Sequence, residues 1–437
     1  MDRSWSYTKK IHIKHKSEKK KYRMSSTQIG NIIGGFVLIL LAGILNGSWN
    51  ASFSPSANLA VGRLENNDNE DDTHDDVKNE QQQQQQQYDN IGYHHAFALF
   101  QLYAALLNIP ICILWTGGIH RSHDILSSTP AGSIVLVIIF SCIWGFGTML
   151  FGLSCRIAGV GMGTNLSLGT VAILGSLLPL IQEGSLITPA GGVVCAGLVI
   201  CCIGLWIGVK ALHGKDVDEN KKEKEDRCLS LSDNHQIEAS NFDKNVDINE
   251  GESNDMKYST WKKVLVCLLT GLCAVQLQFA FVFGDKITDL AIHSDDLPGS
   301  TPSSGGAALI WLLAISTGAV VSIANGIYSS PVPLKHTLMT TPWTRHLRII
   351  LSTSVPWISH IYLYGVCATT LLPEKLAAAV GWPMLMMITV CQSLLLSIFL
   401  GEWKVASTET VQTLKRSLVI TFFGLVVLMT SISVPSS

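Results

Sequence analysis

AGSIVLVIIFSCIWGFGTMLFGLSC, residues 131–155, contains no Asp, Glu, Lys or Arg. At about 1.5 Å of rise per residue, a helix of this length crosses a hydrocarbon layer about 30 Å thick. In hydrocarbon every backbone N–H and C=O needs a partner within the protein, and a helix supplies one residue by residue, so the stretch reads as a membrane helix. Working outward, nine more stretches share this character. Four flank the first in the N-terminal half, at 28–50, 94–115, 162–182 and 189–209, and five follow at 264–284, 306–328, 349–372, 376–400 and 417–434. The expected fold is an all-α membrane protein of ten transmembrane helices.

Composition agrees. Of 437 residues, 47% are apolar and only 15% charged, against about 25% charged in a soluble domain, and mean hydropathy is +0.31. The net charge of −2 hides strong segregation, because the spans are nearly free of charge. A nucleic-acid partner is not expected, since no folded basic face interleaved with aromatics occurs. The one basic run, 9–23, reads as a solvated tail rather than an anionic-lipid contact. Ten of the eleven Cys lie in apolar stretches and read as small buried residues, not as a disulfide framework. The start does not resemble a secretory signal peptide, because its first apolar run lies too deep and is long enough to span. Met24, directly before that run, is an alternative start.

Two connections are long and polar. Residues 65–90 are acidic and hold seven consecutive glutamines, Gln81–Gln87, and 215–258 mixes Lys, Glu, Asp and Asn. Neither has the apolar content for a core, and both are expected to lack ordered structure. The chain thus divides into a basic tail (1–27), a first five-helix unit (28–210), a central polar loop (211–260) and a second five-helix unit (261–437).

The two units share a pattern. Trp144 precedes Gly152 by the same interval as Trp357 precedes Gly365, with Phe151 and Tyr364 before the glycines. The fourth and ninth spans end in Glu183 and Glu402. The second and seventh carry Asn108 and Asn325 near their ends. Gly43 then Ser48 and Asn50 in the first span correspond to Gly271 then Gln276 and Gln278 in the sixth. Several matches in one order argue for duplication. Five is odd, so the copies would be inverted in the membrane, a signature of secondary transporters with a site near the midplane between the halves.

Orientation follows Lys and Arg. Loops after odd spans carry 19 and loops after even spans 3, which places the odd loops in the cytoplasm; the nine basic residues before the first span would raise the even side to 12.

The same residues resemble the L-rhamnose–proton symporter family of the drug/metabolite transporter superfamily. The phrases are AGILNGSWN (42–50), WGFGTMLFGLSCRIAGVGMGTNLSLG (144–169), GWPMLM (381–386) and GEWK (401–404). The resemblance implies a ten-helix inverted-repeat fold and proton-coupled sugar uptake. The basic start, the polyglutamine insert, the long central loop and Ser54-Pro55-Ser56 after the first span depart from it.

A sugar site needs amides for paired hydroxyls and flat aromatic faces for the C–H side of the ring. The candidates are Asn46, Trp49 and Asn50 on the first span, Trp144, Asn165, Gln276 and Trp357. Each also has a plainer reading: polar groups as glue between helices, tryptophans as packing or interfacial anchors. Gln276 and Gln278 point to different faces, so only one is expected inside, and Gln276 is chosen. For proton coupling the candidates are His360, deep in the eighth span, and the span-end carboxylates Glu183 and Glu402. The plainer readings are a helix–helix hydrogen bond and interfacial charges. Arg156 is expected to snorkel, and His94 and His95 to sit at the interface. Metal and cofactor sites are not expected, since no ligand set has metal spacing and Gly161-Met162-Gly163 lacks the surroundings of a phosphate loop. Nor is an enzyme expected, because the spans show no paired acids or metal motif. The expected function is secondary transport of an L-rhamnose-like sugar by proton symport across a plasma membrane or endomembrane. A nucleotide-sugar or other metabolite exchanger and a non-transporting receptor or scaffold are the alternatives.

Overall fold

The computed structural model describes residues 26–49, 75–182, 184–238, 259–293, 302–329, 333–371, 380–431 and 434. Every regular element among them is helical. Ten helices are long and apolar enough to cross a membrane, and the chain is an integral, multi-pass membrane protein.

In chain order the spanning helices are α1 (Ser26–Ser48), α2 (Asp75–Thr116), α3 (Ala131–Ala158), α4 (Val160–Gln182) and α5 (Pro189–Glu238). They are followed by α6 (Thr260–Ala291), α7 (Pro302–Ser329), α8 (Trp343–Thr369), α9 (Trp382–Phe399) and α10 (Thr408–Thr430). Short helices Ile119–Ser128 and Leu334–Thr340 lie in two of the connections.

The polar insertions depart from expectation where they are described. Helix α2 continues back through Gln81–Gln87 to Asp75, and α5 runs on to Glu238. Glutamine, lysine and glutamate are good helix formers, and extending an existing helix avoids the cost of a new nucleus. The rest of both insertions, 65–74 and 239–258, lies outside the described residues, as does the basic tail up to residue 25.

Two spans are irregular for identifiable reasons. Helix α6 breaks at Val275 and again at Gly284. In α8, Pro356 has no N–H to give to the preceding turn, and the wide π turn Ile350–Ser354 stands directly before its helical segment; a second π turn, Cys367–Leu371, closes that segment.

Helix α5 packs on α10, α2 on α7, and α4 on α9. Helix α3 lies against α6 and α7, α1 against α8 and α9, and α4 also against α6. Without water to drive apolar groups together, close approach of backbones holds such pairs, and glycines permit it. A Cβ on Gly43 of α1 would overlap Ile388 of α9; one on Gly271 of α6 would overlap Thr170 of α4; one on Gly424 of α10 would overlap Cys201 of α5. Outward faces are apolar, as on α3 (Val135, Ile138, Ile139, Phe146) and α10 (Val419, Phe422, Phe423, Val426), which suits contact with lipid chains. Inside, the pattern reverses. Asn46, Gln101, Asn108, Asn165, Gln278 and His360 are all buried, while among the described residues no Asp, Glu, Lys or Arg is buried.

One end of the bundle is tied by carboxylates. Glu402, just past α9, accepts from the backbone N–H of Val160 (3.0 Å) and Gly161 (3.3 Å) at the start of α4. Asp216 on α5 pairs with Lys263 (2.7 Å) and accepts from Thr260 (2.7 Å) at the start of α6. Asp218 accepts from the Ser407 N–H (2.7 Å) and the Thr410 hydroxyl (2.8 Å) at the start of α10. Gly159, at φ 81°, makes the reversal between α3 and α4 that brings Val160 to Glu402.

Candidate functional site

Four of the expected sugar-site residues meet in one aromatic cluster. The Trp144 and Trp357 rings stack at 5.6 Å between centroids and 12° between planes. Trp357 meets the edge of Phe100 at 5.6 Å, Phe100 stacks on Trp49 at 5.1 Å, and Trp49 lies 5.6 Å from Phe151. Side chains from α1, α2, α3 and α8 therefore form one continuous aromatic surface. The ring of Trp144 rests on Gly318 of α7, where an added Cβ would come within 2.3 Å of it.

The polar groups of this cluster differ in how far they are committed. Trp49 Nε1 donates to Asn46 Oδ1 (2.9 Å), and Asn46 Nδ2 donates to Thr389 Oγ1 (3.1 Å). Asn46 therefore orients Trp49 and ties α1 to α9, and its amide is largely spent. His360, one turn along α8, meets Trp357 edge-on at 5.9 Å. It is buried, and its Nδ1 has no hydrogen-bond partner among the described residues. Gln101 follows Phe100 in sequence, is fully buried, and has both amide atoms without a partner among the described residues. The sequence reading missed Gln101, although an amide in the middle of an apolar span was a signal for it.

Other expected site residues lie elsewhere. Asn165 is buried toward α5: a Cβ on Gly208 would fall 2.7 Å from its Nδ2, and that nitrogen lies 3.9 Å from Met162 Sδ. It sits where α4 packs on α5, and its Oδ1 has no partner among the described residues. Gln276 is only half-buried and donates to the Leu272 carbonyl of its own helix (3.0 Å), while Gln278 is the buried one and donates to the Tyr364 hydroxyl (3.4 Å). The choice between the two is thus reversed. Glu402 stands at the bundle end with its carboxylate on the first N–H groups of α4, a cap position rather than a place beside His360. Asn50 and Glu183 lie outside the described residues.

Two further histidines are buried. His95, expected at the interface, is enclosed, with Nδ1 2.6 Å from the Thr337 hydroxyl. His346 holds the Tyr103 hydroxyl at 2.6 Å. They link α2 to the first turns of α8 and to the short helix before it. That segment is poor in long apolar runs, which hid the packing from a reading based on span length.

No family model and no solved structure matches the chain. Curated proteins do match part of it. All three described here are L-rhamnose-proton symporters. That of Shigella boydii is 30% identical over 89 residues, 20% of this chain and 26% of the relative. That of Yersinia pestis is 32% identical over 79 residues, 17% of this chain and 23% of the relative. That of an Enterobacter strain is 32% identical over 89 residues, 20% and 26%. The chain thus spans about a quarter of the length of the curated relatives it matches.

Proposed function

We propose that this chain is a secondary carrier for an uncharged, polyhydroxylated solute, an L-rhamnose-like sugar, driven by proton symport. The observation that carries the reading is the chemistry of the interior. Amides, indoles, phenols and imidazoles are buried among ten spans, and among the described residues no charged side chain joins them. A bilayer protein retains buried polar groups at a cost, and they mark pathways by default. The part-length similarity to symporters supports the same reading.

The carrier reading includes two inverted five-helix halves. Exchanging the halves maps the pairs α5–α10, α2–α7 and α4–α9 onto themselves and α1–α9 onto α6–α4. Gly43 against Ile388 and Gly271 against Thr170 are corresponding close approaches. Trp144 and Trp357, at matching positions, stack on each other. Rocking of one half against the other would open this aromatic seam alternately to the two sides. In this scheme Trp144 and Trp357 offer faces to the C–H side of a sugar ring, Gln101 offers its amide, and His360 carries the proton. A nucleotide-sugar exchanger would place cations on the diphosphate, and the absence of buried Lys or Arg among the described residues argues against it.

The test is uptake of a sugar panel by the purified full chain in liposomes, with and without an inward proton gradient. Accumulation of an uncharged sugar that needs the gradient is expected. Uptake indifferent to the gradient would remove proton coupling, and no uptake of any sugar would favour a receptor or scaffold.

A further inference from the structure

A second group of buried polar atoms lies further along α8. From Trp357 to Tyr364 is seven residues, about 10 Å of helix on one face. Around Tyr364 stand Gln278 of α6, Trp311 of α7 and Trp382 of α9, all buried. Tyr364 and Trp382 meet at 5.1 Å between centroids, Trp311 and Tyr364 at 6.5 Å, and Phe281 stacks on Trp311 at 4.8 Å. Gly175 of α4 closes the group: a Cβ there would fall 2.9 Å from Trp382 Nε1 and 3.5 Å from Gln278 Cγ.

The hydrogen-bonding inventory of this group does not close. Gln278 Nε2 reaches the Tyr364 hydroxyl, but Gln278 Oε1, Trp311 Nε1 and Trp382 Nε1 have no partner among the described residues. Buried indole N–H and amide groups ordinarily find partners. Around Trp49 they do, since its indole and the Asn46 amide are both engaged. Two N–H donors, one carbonyl acceptor and a phenol that can give or take a proton, held between aromatic faces without a charge, complement hydroxyl groups on a ring with C–H faces.

We propose that Gln278, Trp311, Tyr364 and Trp382 form a binding site for an uncharged polyhydroxylated ring, a second station along α8 distinct from the Trp144–Trp357 seam. This rests on the carrier reading and deepens it. The Gln278 carbonyl accepts from a ligand hydroxyl, the two indoles donate to ligand oxygens, and the Tyr364 ring packs on the C–H face. Gly175 lets the α4 backbone pack directly against Trp382, which fixes its indole in the group.

The test is equilibrium binding of L-rhamnose, D-glucose, D-mannose and myo-inositol to the purified full chain, compared with Gln278→Leu and Trp382→Phe. Gln278→Leu keeps side-chain bulk and removes the amide, and Trp382→Phe keeps an aromatic ring and removes the indole N–H. Thermal melting serves as the control for folding: a single cooperative transition is expected for both variants, with a midpoint lowered only by the lost Gln278–Tyr364 bond or by the smaller ring at 382. The best-bound compound should lose about tenfold in affinity in each variant. The loss should shrink for at least one of its monodeoxy analogues, which lacks the hydroxyl that the deleted group served. Full affinity in both variants, or equal losses for the parent compound and every deoxy analogue, would overturn this site while leaving the carrier reading intact. Binding of none of the four compounds by the parent chain would overturn the sugar-carrier reading and the ligand class with it.

Discussion

At the scale of single residues, the role of a buried polar group depends on whether it is already paired. Asn46 is, and so its replacement should act through Trp49 and α9 rather than through a lost solute contact. His360 is not fully paired, sits against Trp357 and is buried in mid-span. A proton gradient does work only if proton affinity differs between the two states of the carrier. Exposure to water on one side and enclosure on the other would give an imidazole that difference. His360→Gln keeps a hydrogen-bonding side chain without titration near neutral pH. It is expected to fold and to exchange solute, and to lose accumulation driven by a pH gradient, as measured in liposomes. Unchanged accumulation would move the proton role elsewhere. Gly318 gives a packing prediction of the same kind. Gly318→Ala places a methyl 2.3 Å from the Trp144 ring, and overpacking of this kind costs about 1–3 kcal/mol. A lower melting midpoint and a disturbed Trp144–Trp357 stack, read by tryptophan fluorescence, are expected.

At the scale of elements, Glu402 shows how one charge fixes the start of a helix. Its carboxylate takes the first free N–H groups of α4, where the helix dipole also favours negative charge. Glu402→Ala should lower stability by about 1–2 kcal/mol, seen as a lower melting midpoint. It should leave the dependence of transport on the pH gradient as it was; loss of that dependence would restore Glu402 as the proton carrier. The positions of α1 to α10 were legible because absence of charge over a membrane's thickness is a strong signal, and the matching places of Trp144 and Trp357 because their spacing repeats, though not that the two rings stack. The choice between Gln276 and Gln278 was not legible. Helix α6 breaks at Val275, so the helical phase before the break does not predict which face the next residues present. The place of Asn165 was not legible for a different reason: an amide in an apolar span looks the same in sequence whether it faces a solute or, as across Gly208, a neighbouring helix. Gln101 gave only a single amide as its signal, with no partner in the repeat to raise it.

At the scale of the whole molecule, the ends of the bundle differ in chemistry. The described loops after odd spans gather the ties made by Glu402, Asp216 and Asp218, and the same loops carry most of the Lys and Arg. By the positive-inside rule we propose that this end faces the cytoplasm. A tag within 215–258 is therefore expected to be reached by antibody only after the membrane is permeabilised, and labelling of intact cells would reverse the orientation. The central claim is that the interior moves an uncharged sugar by alternating access. Counterflow tests this most directly, because only a carrier that reorients with solute bound couples movement in one direction to movement in the other. Liposomes holding the purified chain are loaded with unlabelled L-rhamnose or another sugar of the panel and diluted into a trace of the same labelled sugar without a pH gradient. The account predicts a transient overshoot of label inside, absent from liposomes without protein. Label that only equilibrates, or never enters for any sugar tested, would contradict it.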